Sequence, residues 1–196
     1  MRPPHHRAFN RTAARSVAWT RQRLTEADLA FLRGLPLKAN IGDQAIAVHS
    51  ALHPQTDCES VWLDTDTRRS LSFAAPMDHP SGVRICAFGH TRRAGVYKFR
   101  NGAPVERIGR DIELRADGHY LLNSGTVGES RTRDRRASYM MLDLQRRSVT
   151  LHHIEYDAAA PLAAKRKAGL APPFPIAVLD RLRASARSDR DWQSFA

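Results

Sequence analysis

The sequence predicts a mixed α/β fold, and two observations carry that prediction. Two short segments, 44–49 and 83–88, are apolar nearly throughout, which is typical of strands buried on both faces of a sheet. Ahead of them, apolar residues recur on one helical face over 10–24. Thr25 and Gly34 then have the positions of an N-cap and a helix end. Helices placed around buried strands are the arrangement of α/β proteins.

The rest of the chain is predicted to contain one helix near 65–75 and then a run of short strands. These strands cover 94–100, 103–107, 110–115, 119–123, 138–144 and 147–156. Asn101-Gly102, between the first two, is a hairpin turn signal. After Asp157 the composition shifts to alanine, proline and basic residues. There we expect a helix over 158–168, a proline-broken linker over 171–175 and a basic helix over 176–187.

The composition is that of a globular protein and excludes a wholly disordered or fibrous chain. The 196 residues suit one domain, or one domain with a tail, and 42% of them are hydrophobic. The net charge is +11, and only four of the 31 basic residues are lysine. An arginine-rich surface favours phosphate and carboxylate partners. It fits equally well a gene whose base composition favours arginine codons, so the charge alone assigns no function.

Cysteine usage predicts a reduced compartment, and we expect the protein to be cytoplasmic. Cys58 and Cys86 form no Cys-x-x-Cys motif, and Cys86 lies in an apolar segment typical of a buried free thiol. No apolar stretch approaches the ~18 residues of a transmembrane helix, so no membrane partner is expected. The arginines before Glu26 resemble a mitochondrial presequence, and the alternative is an ordinary amphipathic helix of the fold.

Both predicted buried strands lead into a histidine. His49 ends the first, and His90 follows the second after Gly89. Ligands and metals collect outside the carboxyl ends of strands in open α/β sheets, and neutral imidazole is a common metal ligand. The two histidines could therefore share one ion. The alternative, which spacing alone favours, is that each is a polar residue at a strand end.

Two downstream segments have the residue types of an anion site. Residues 121–128 form a strand that runs into a Gly-rich loop, whose backbone N–H groups can face an anion. Residues 131–136 are densely basic and could contact phosphate. The alternatives are an ordinary turn and a solvated basic loop.

These segments form a recognisable order. The motifs are Val48-His49, Phe88-Gly89-His90-Thr91, Asn123-Ser124-Gly125-Thr126-Val127-Gly128 and Arg136-Ala137-Ser138-Tyr139. They resemble the C-terminal half of the calcineurin-like metallophosphoesterases of the small bacterial type, where the last three blocks read Gly-His-Thr-His, Asn-Pro-Gly-Ser-Val-Gly and Arg-Ala-Ser-Tyr. The resemblance covers about 9–156. It makes the N-terminal helix part of the fold and weighs against a presequence.

The resemblance implies a partial calcineurin-like α-β-β-α sandwich over 1–156, followed by a basic helical extension over 157–196. It also implies the chemistry of a two-metal phosphohydrolase, in which divalent Mn, Fe, Zn or Mg activates a hydroxide and holds phosphate oxygens. His49 and His90 then correspond to two ligands of one ion. The residues assigned to phosphate or anion binding are Arg92, Asn123, Gly125 and Arg136.

The sequence departs from the family pattern in its metal ligands. Arg92 stands where the family has the second histidine of Gly-His-x-His, and a guanidinium cannot coordinate a cation. The family's Asp-x-His, Gly-Asp and Gly-Asn-His-Asp motifs have no counterpart in order. Asp117-Gly118-His119 has the first spacing but the wrong position, and Gly42-Asp43 is a turn before a strand. No catalytic residue is therefore assigned, and metal binding is expected to be weak or absent.

The resemblance also implies that the N-terminal strands and helices of the fold are missing. We expect a buried strand to become an exposed edge, so that the chain aggregates, rearranges, or pairs with a partner chain or oligomer that completes the sheet. The predicted function is a metal-dependent phosphoesterase, truncated and impaired or inactive alone, whose partner is a phosphate-containing small molecule. The alternative is a non-catalytic anion-binding or nucleic-acid-binding protein on the same scaffold, which the basic charge permits.

Overall fold

The structure is a computed structural model, and it describes residues 11–52, 61–77, 82–107 and 109–171. The helices are α1 (Arg11–Arg21), α2 (Glu26–Gly34), α3 (Asp66–Met77) and α4 (Ala159–Lys167). The strands are β1 (Lys38–Ile41), β2 (Ala45–Val48), β3 (Ile85–Phe88), β4 (Gly95–Arg100), β5 (Ala103–Arg107), β6 (Asp111–Glu113), β7 (Tyr120–Asn123), β8 (Ala137–Asp143) and β9 (Ser148–Ile154). No helix in these ranges is long and apolar enough to cross a membrane.

The strands form two sheets. A six-stranded mixed sheet has the order β1-β2-β3-β7-β4-β5, and a three-stranded antiparallel sheet has the order β6-β9-β8. In the larger sheet β2, β3 and β7 are parallel, whereas β1, β4 and β5 are antiparallel to their neighbours. The three parallel strands therefore end at one edge of the sheet.

The larger sheet is covered on both faces, which explains why its central strands are apolar throughout. On one face Phe73 of α3 is fully buried in a cluster with Cys86 and Leu121. On the other face Tyr120 packs against residues of the smaller sheet, among them Val149. Burial raises the pKa of the Cys86 thiol to about 12, so this cysteine is an inert core residue.

The predicted elements are confirmed wherever the structure describes them. Thr25 caps α2 with a reciprocal capping box, in which its hydroxyl accepts from the amide of Asp28. Asn101 and Gly102 have φ of 52° and 81°, the left-handed conformations that a two-residue hairpin turn of this type needs. Three further predictions concern residues outside the described ranges. The structure describes only the first residue of the linker predicted over 171–175, and it does not describe the helix predicted over 176–187 or Cys58.

The expectation that the first buried strand becomes an exposed edge is wrong. β1 pairs antiparallel with β2, with Lys38 opposite Val48, through a turn in which Gly42 has a φ of 59°. This added hairpin strand shields β2 and is itself the edge, with all four of its residues exposed. Earlier in the chain, Phe31 of α2 and Leu37 are 67% and 69% exposed. A partner chain that completes the sheet stays a prediction.

Candidate functional site at the carboxyl ends of the parallel strands

The predicted convergence of the two histidines is present. His49 directly follows β2, and His90 follows the neighbouring strand β3 by two residues. His49 Nε2 lies 3.0 Å from His90 Nδ1, and the two rings meet edge to face. The Gly89 amide also donates to the His49 carbonyl at 3.0 Å, which joins the two loops at the backbone. Two histidines that are 41 residues apart in the sequence are therefore in direct contact.

The loop that carries His90 has an unusual backbone. His90 and Arg92 have φ of 55° and 58°, in the left-handed region that residues other than glycine rarely adopt. Each such residue costs on the order of 1–3 kcal/mol and persists only where its surroundings hold it. Backbone strain of this kind concentrates at functional sites, and here it fixes the direction in which the His90 ring leaves the strand.

Asn123, the last residue of β7, holds this loop. Its side chain is fully buried and donates to the Gly89 carbonyl at 2.8 Å and to Thr91 Oγ1 at 2.9 Å. Its Oδ1 accepts from the Gly125 amide at 2.9 Å. Both ends of the amide are thus used inside the protein. Asn123 therefore positions the loop that carries His90 through these hydrogen bonds. The sequence instead predicted anion binding for Asn123.

Gly125 lies where the loop after β7 approaches two neighbours closely. It has a φ of +85°, and a Cβ placed on it would lie 2.1 Å from Ser138 Oγ. Ser138 Oγ in turn accepts from the Thr126 amide at 3.0 Å. The requirement for glycine at this point of the Asn-x-Gly loop is therefore steric as well as conformational.

Two further residues contact His90 that sequence reasoning did not single out for this role. The Trp62 ring packs edge-on against the His90 ring, with centroids 5.0 Å apart. The Arg131 guanidinium lies over Trp62 at 4.0 Å and donates to the His90 carbonyl at 3.2 Å. No local pattern links these residues to His90. For Arg131, the basic segment 131–136 was the available signal.

Arg92 is part of an ion-pair network and not an isolated cation. Its Nη1 donates to Glu129 Oε2 at 3.2 Å, and Lys165 of α4 donates to the other oxygen of the same carboxylate. Burial raises the pKa of Glu129, but Lys165 and Arg92 outweigh that effect and the net pKa is lowered. Glu129 is thus ionised at neutral pH and forms ion pairs with both Arg92 and Lys165. It follows the Gly-rich loop by one residue, and sequence reasoning missed it.

Arg136 also has a carboxylate partner. Its Nε and Nη2 bind both oxygens of Asp134 at 2.7–3.2 Å, and this pairing holds the pKa of Asp134 well below its usual range. Of the residues predicted for anion binding, Arg92 and Arg136 are therefore engaged by acids, while Asn123 and the Gly125 amide bind each other. The assignment of an anion to these four residues stays a prediction.

The two imidazole nitrogens have the separation of adjacent ligands of one ion, because Zn–N bonds of about 2.0–2.1 Å place neighbouring ligands about 3.0–3.4 Å apart. Among the residues that the structure describes, a third ligand is not in place. Within the described ranges, no three His, Cys, Asp or Glu side chains are grouped so that they could hold a metal ion. This donor set does not fit a two-ion centre, so no chemical step is assigned through one.

A comparison with solved structures finds a similar protein, a metallophosphoesterase from Sphaerobacter thermophilus. The two chains are 29% identical and superpose with a TM-score of 0.63. The match covers 87% of this chain and 67% of the other. No protein-family model and no curated protein matches the chain. The structural match agrees in both sequence and fold with the resemblance carried by the motifs.

Proposed function

We propose that the chain is a calcineurin-like metallophosphoesterase, which its similarity to a solved metallophosphoesterase supports, and that it binds a phosphoester at the His49–His90 pair. We further propose that hydrolysis of this phosphoester is impaired or absent in the chain by itself. The observation that carries the proposal is the contact between His49 and His90, at 3.0 Å between ring nitrogens, beside a position held by Arg92.

The retained architecture supports binding at this end of the sheet. Asn123 holds the His90 loop, and Gly125 and Ser138 hold the loop beside it, so the scaffold around the strand ends is well determined. The His49 side chain is exposed, and a ligand can reach it. Elements of this kind preorganise a site even where the groups that perform chemistry are few.

The ligand inventory supports impaired turnover. Two imidazoles leave most of the coordination sphere of a divalent ion to water, which predicts weak binding. Arg92 adds a fixed positive charge in the loop that carries His90, and its carboxylate partner Glu129 is shared with Lys165. The family's Asp-x-His, Gly-Asp and Gly-Asn-His-Asp motifs have no ordered counterpart in the sequence.

The test compares binding and turnover in the full 196-residue chain. We expect p-nitrophenyl phosphate with Mn²⁺ to raise the melting temperature of the wild-type protein and not that of the His49→Ala variant. In the same buffer we expect p-nitrophenol release to be unchanged when EDTA is added. The readouts are a thermal melt and absorbance of the released phenolate.

Two results would contradict this proposal in different ways. EDTA-sensitive release of p-nitrophenol that His49→Ala abolishes would show an active enzyme, and the claim of impairment would be lost. An equal rise in melting temperature for wild type and His49→Ala would place binding elsewhere on the molecule. Binding at the pair that persists in EDTA would favour the alternative, a non-catalytic anion-binding protein on the same scaffold.

A further inference from the structure

We propose that the face of β4 and β5 carries a second anion site, which takes a small oligophosphate such as inorganic pyrophosphate. The site is a cavity of about 360 Å³ lined by Lys98, Arg100, Val105, Arg107, Arg115 and Asp117. It involves neither His49 nor His90, so the proposal goes beyond the proposed function and does not depend on it.

The cavity lies toward the opposite end of the larger sheet from the histidines. β4 runs antiparallel to β7, with Gly95 opposite Asn123 and Lys98 opposite Tyr120. Asn123 ends β7 on the side of the histidines, whereas Tyr120 begins that strand. Lys98 and the residues that follow it on β4 therefore lie at the amino ends of the parallel strands, well away from the family site.

Three cations share one face of the β4–β5 hairpin. Lys98 lies opposite Val105, and Arg107 lies opposite Val96. Directly opposed residues, and residues two apart on one strand, point to the same face, so Lys98, Arg100 and Arg107 project together. Val96 on this face is buried in the core between the two sheets. Lys98, Arg100 and Arg107 lie on the same face of the hairpin, beyond the part of it that the smaller sheet covers.

The turn after β6 forms the other wall and is held in place by hydrogen bonds. The Arg115 amide donates to Tyr120 Oη at 2.8 Å, and the Gly118 amide donates to the Arg115 carbonyl at 3.1 Å. The Arg115 guanidinium pairs with Asp117, with Nε 3.1 Å from Oδ1. Lys98 Nζ lies 5.8 Å from the centre of the Tyr120 ring. Tyr120 therefore contacts both Lys98 of β4 and Arg115 of the turn.

The charges in the cavity are unbalanced. Its one carboxylate, Asp117, is engaged by Arg115, while Lys98, Arg100 and Arg107 have no ion-pair partner among the residues that the structure describes. Lys98, Arg100 and Arg107 are neighbours on one face and not directly opposed, and a bound anion relieves the repulsion among clustered like charges. Guanidinium groups also match phosphate oxygens bidentately. The cavity is therefore suited to an oxyanion.

Charge and size select the ligand class. A phosphate monoester carries about −1.5 to −2 at pH 7, so two linked phosphoryl groups match three cations better than one group does. A cavity of about 360 Å³ is at the lower end of the 300–1,000 Å³ typical of ligand pockets. That volume admits a diphosphate-sized ligand, with Val105 as the apolar part of the wall.

The test is a calorimetric titration of pyrophosphate into the full chain in EDTA, at about 0.15 M salt. Arg107→Gln removes one cation of the cavity, and Arg110→Gln removes an exposed arginine outside it. We expect Arg107→Gln to weaken pyrophosphate binding about tenfold or more, as the loss of a charge-assisted hydrogen bond predicts. We expect Arg110→Gln to change it by less than about twofold, and orthophosphate to bind more weakly than pyrophosphate.

Several results would overturn the proposal. These are no pyrophosphate binding by the wild-type chain, equal losses in the two variants, or loss of binding in His49→Ala. Displacement by single-stranded oligonucleotides that strengthens with their length would instead assign the face to nucleic acid. Arg107 is exposed, so its variant should melt like wild type. If it does not, Arg100→Gln tests the same cavity by the same criterion.

Discussion

Gly125→Ala is expected to destabilise the protein by about 2–5 kcal/mol. Gly125 has a φ of +85°, and a left-handed conformation costs an L-residue about 1–2 kcal/mol. The new Cβ would also lie 2.1 Å from Ser138 Oγ and 3.1 Å from Ala94 Cβ. Relieving that overlap displaces a hydroxyl that binds the Thr126 amide, and overpacking of this kind costs about 1–3 kcal/mol. Urea denaturation measures the change as a lower midpoint at constant m-value.

Gly128→Ala is the matched control in the same loop. A Cβ on Gly128 meets nothing within 4 Å, and Gly128 is not among the glycines with positive φ. Its amide can keep its hydrogen bond to Thr126 Oγ1. We expect a change within about 0.5 kcal/mol. Equal effects of the two substitutions would show that the close approach of Gly125 to Ser138 does not exist in solution.

Asn123→Ala is expected to cost about 3–5 kcal/mol and to loosen the loop that carries His90. The substitution removes the hydrogen-bond partner of buried Thr91 Oγ1 and of the partly buried Gly125 amide, and it leaves the Gly89 carbonyl with its bond from the Thr91 amide. Each buried polar group that loses its partner costs about 1–3 kcal/mol. Denaturant unfolding gives the stability change. Amide hydrogen exchange should show faster exchange at Gly125, whose acceptor is gone.

Asn40→Ala makes the same chemical change on the exposed strand β1, where Asn40 lies opposite Ile46. We expect it to change stability by less than about 0.5 kcal/mol. If Asn123→Ala proved as mild as this control, or left exchange at Gly125 unchanged, the account of Asn123 as the support of the His90 loop would be wrong.

The elements of the fold were predictable where local chemistry determines them. The apolar character of β2 and β3, the capping box at Thr25 and the Asn101-Gly102 turn are each encoded within a few residues. β1 was not predicted, because Lys38–Ile41 is only four residues long and its polar and apolar alternation is too short to indicate a strand. Its pairing with β2 depends on the Gly42 turn bringing an exposed segment alongside a buried one.

The site was predictable only in part. Parallel strands end at one edge, so the meeting of His49 and His90 followed from the two strands that precede them. The contacts of Trp62 and Glu129 depend on loops and on α4, whose placement no local pattern encodes. The basic cavity was predictable only for its hairpin wall. The two-residue turn fixes the register that places Lys98 opposite Val105, whereas no local pattern places the turn that carries Arg115 against the hairpin.

Metal content is the most direct test of the central claim, which is that this chain, similar to a metallophosphoesterase, keeps a histidine pair without a complete metal centre among the residues that the structure describes. The full chain would be loaded with Mn²⁺, dialysed against metal-free buffer and assayed by inductively coupled plasma mass spectrometry, alongside His49→Ala. We predict that the wild-type chain retains less than one ion per molecule, because two imidazoles alone bind a divalent ion weakly. Retention of two ions per chain, lost in His49→Ala, would contradict the claim.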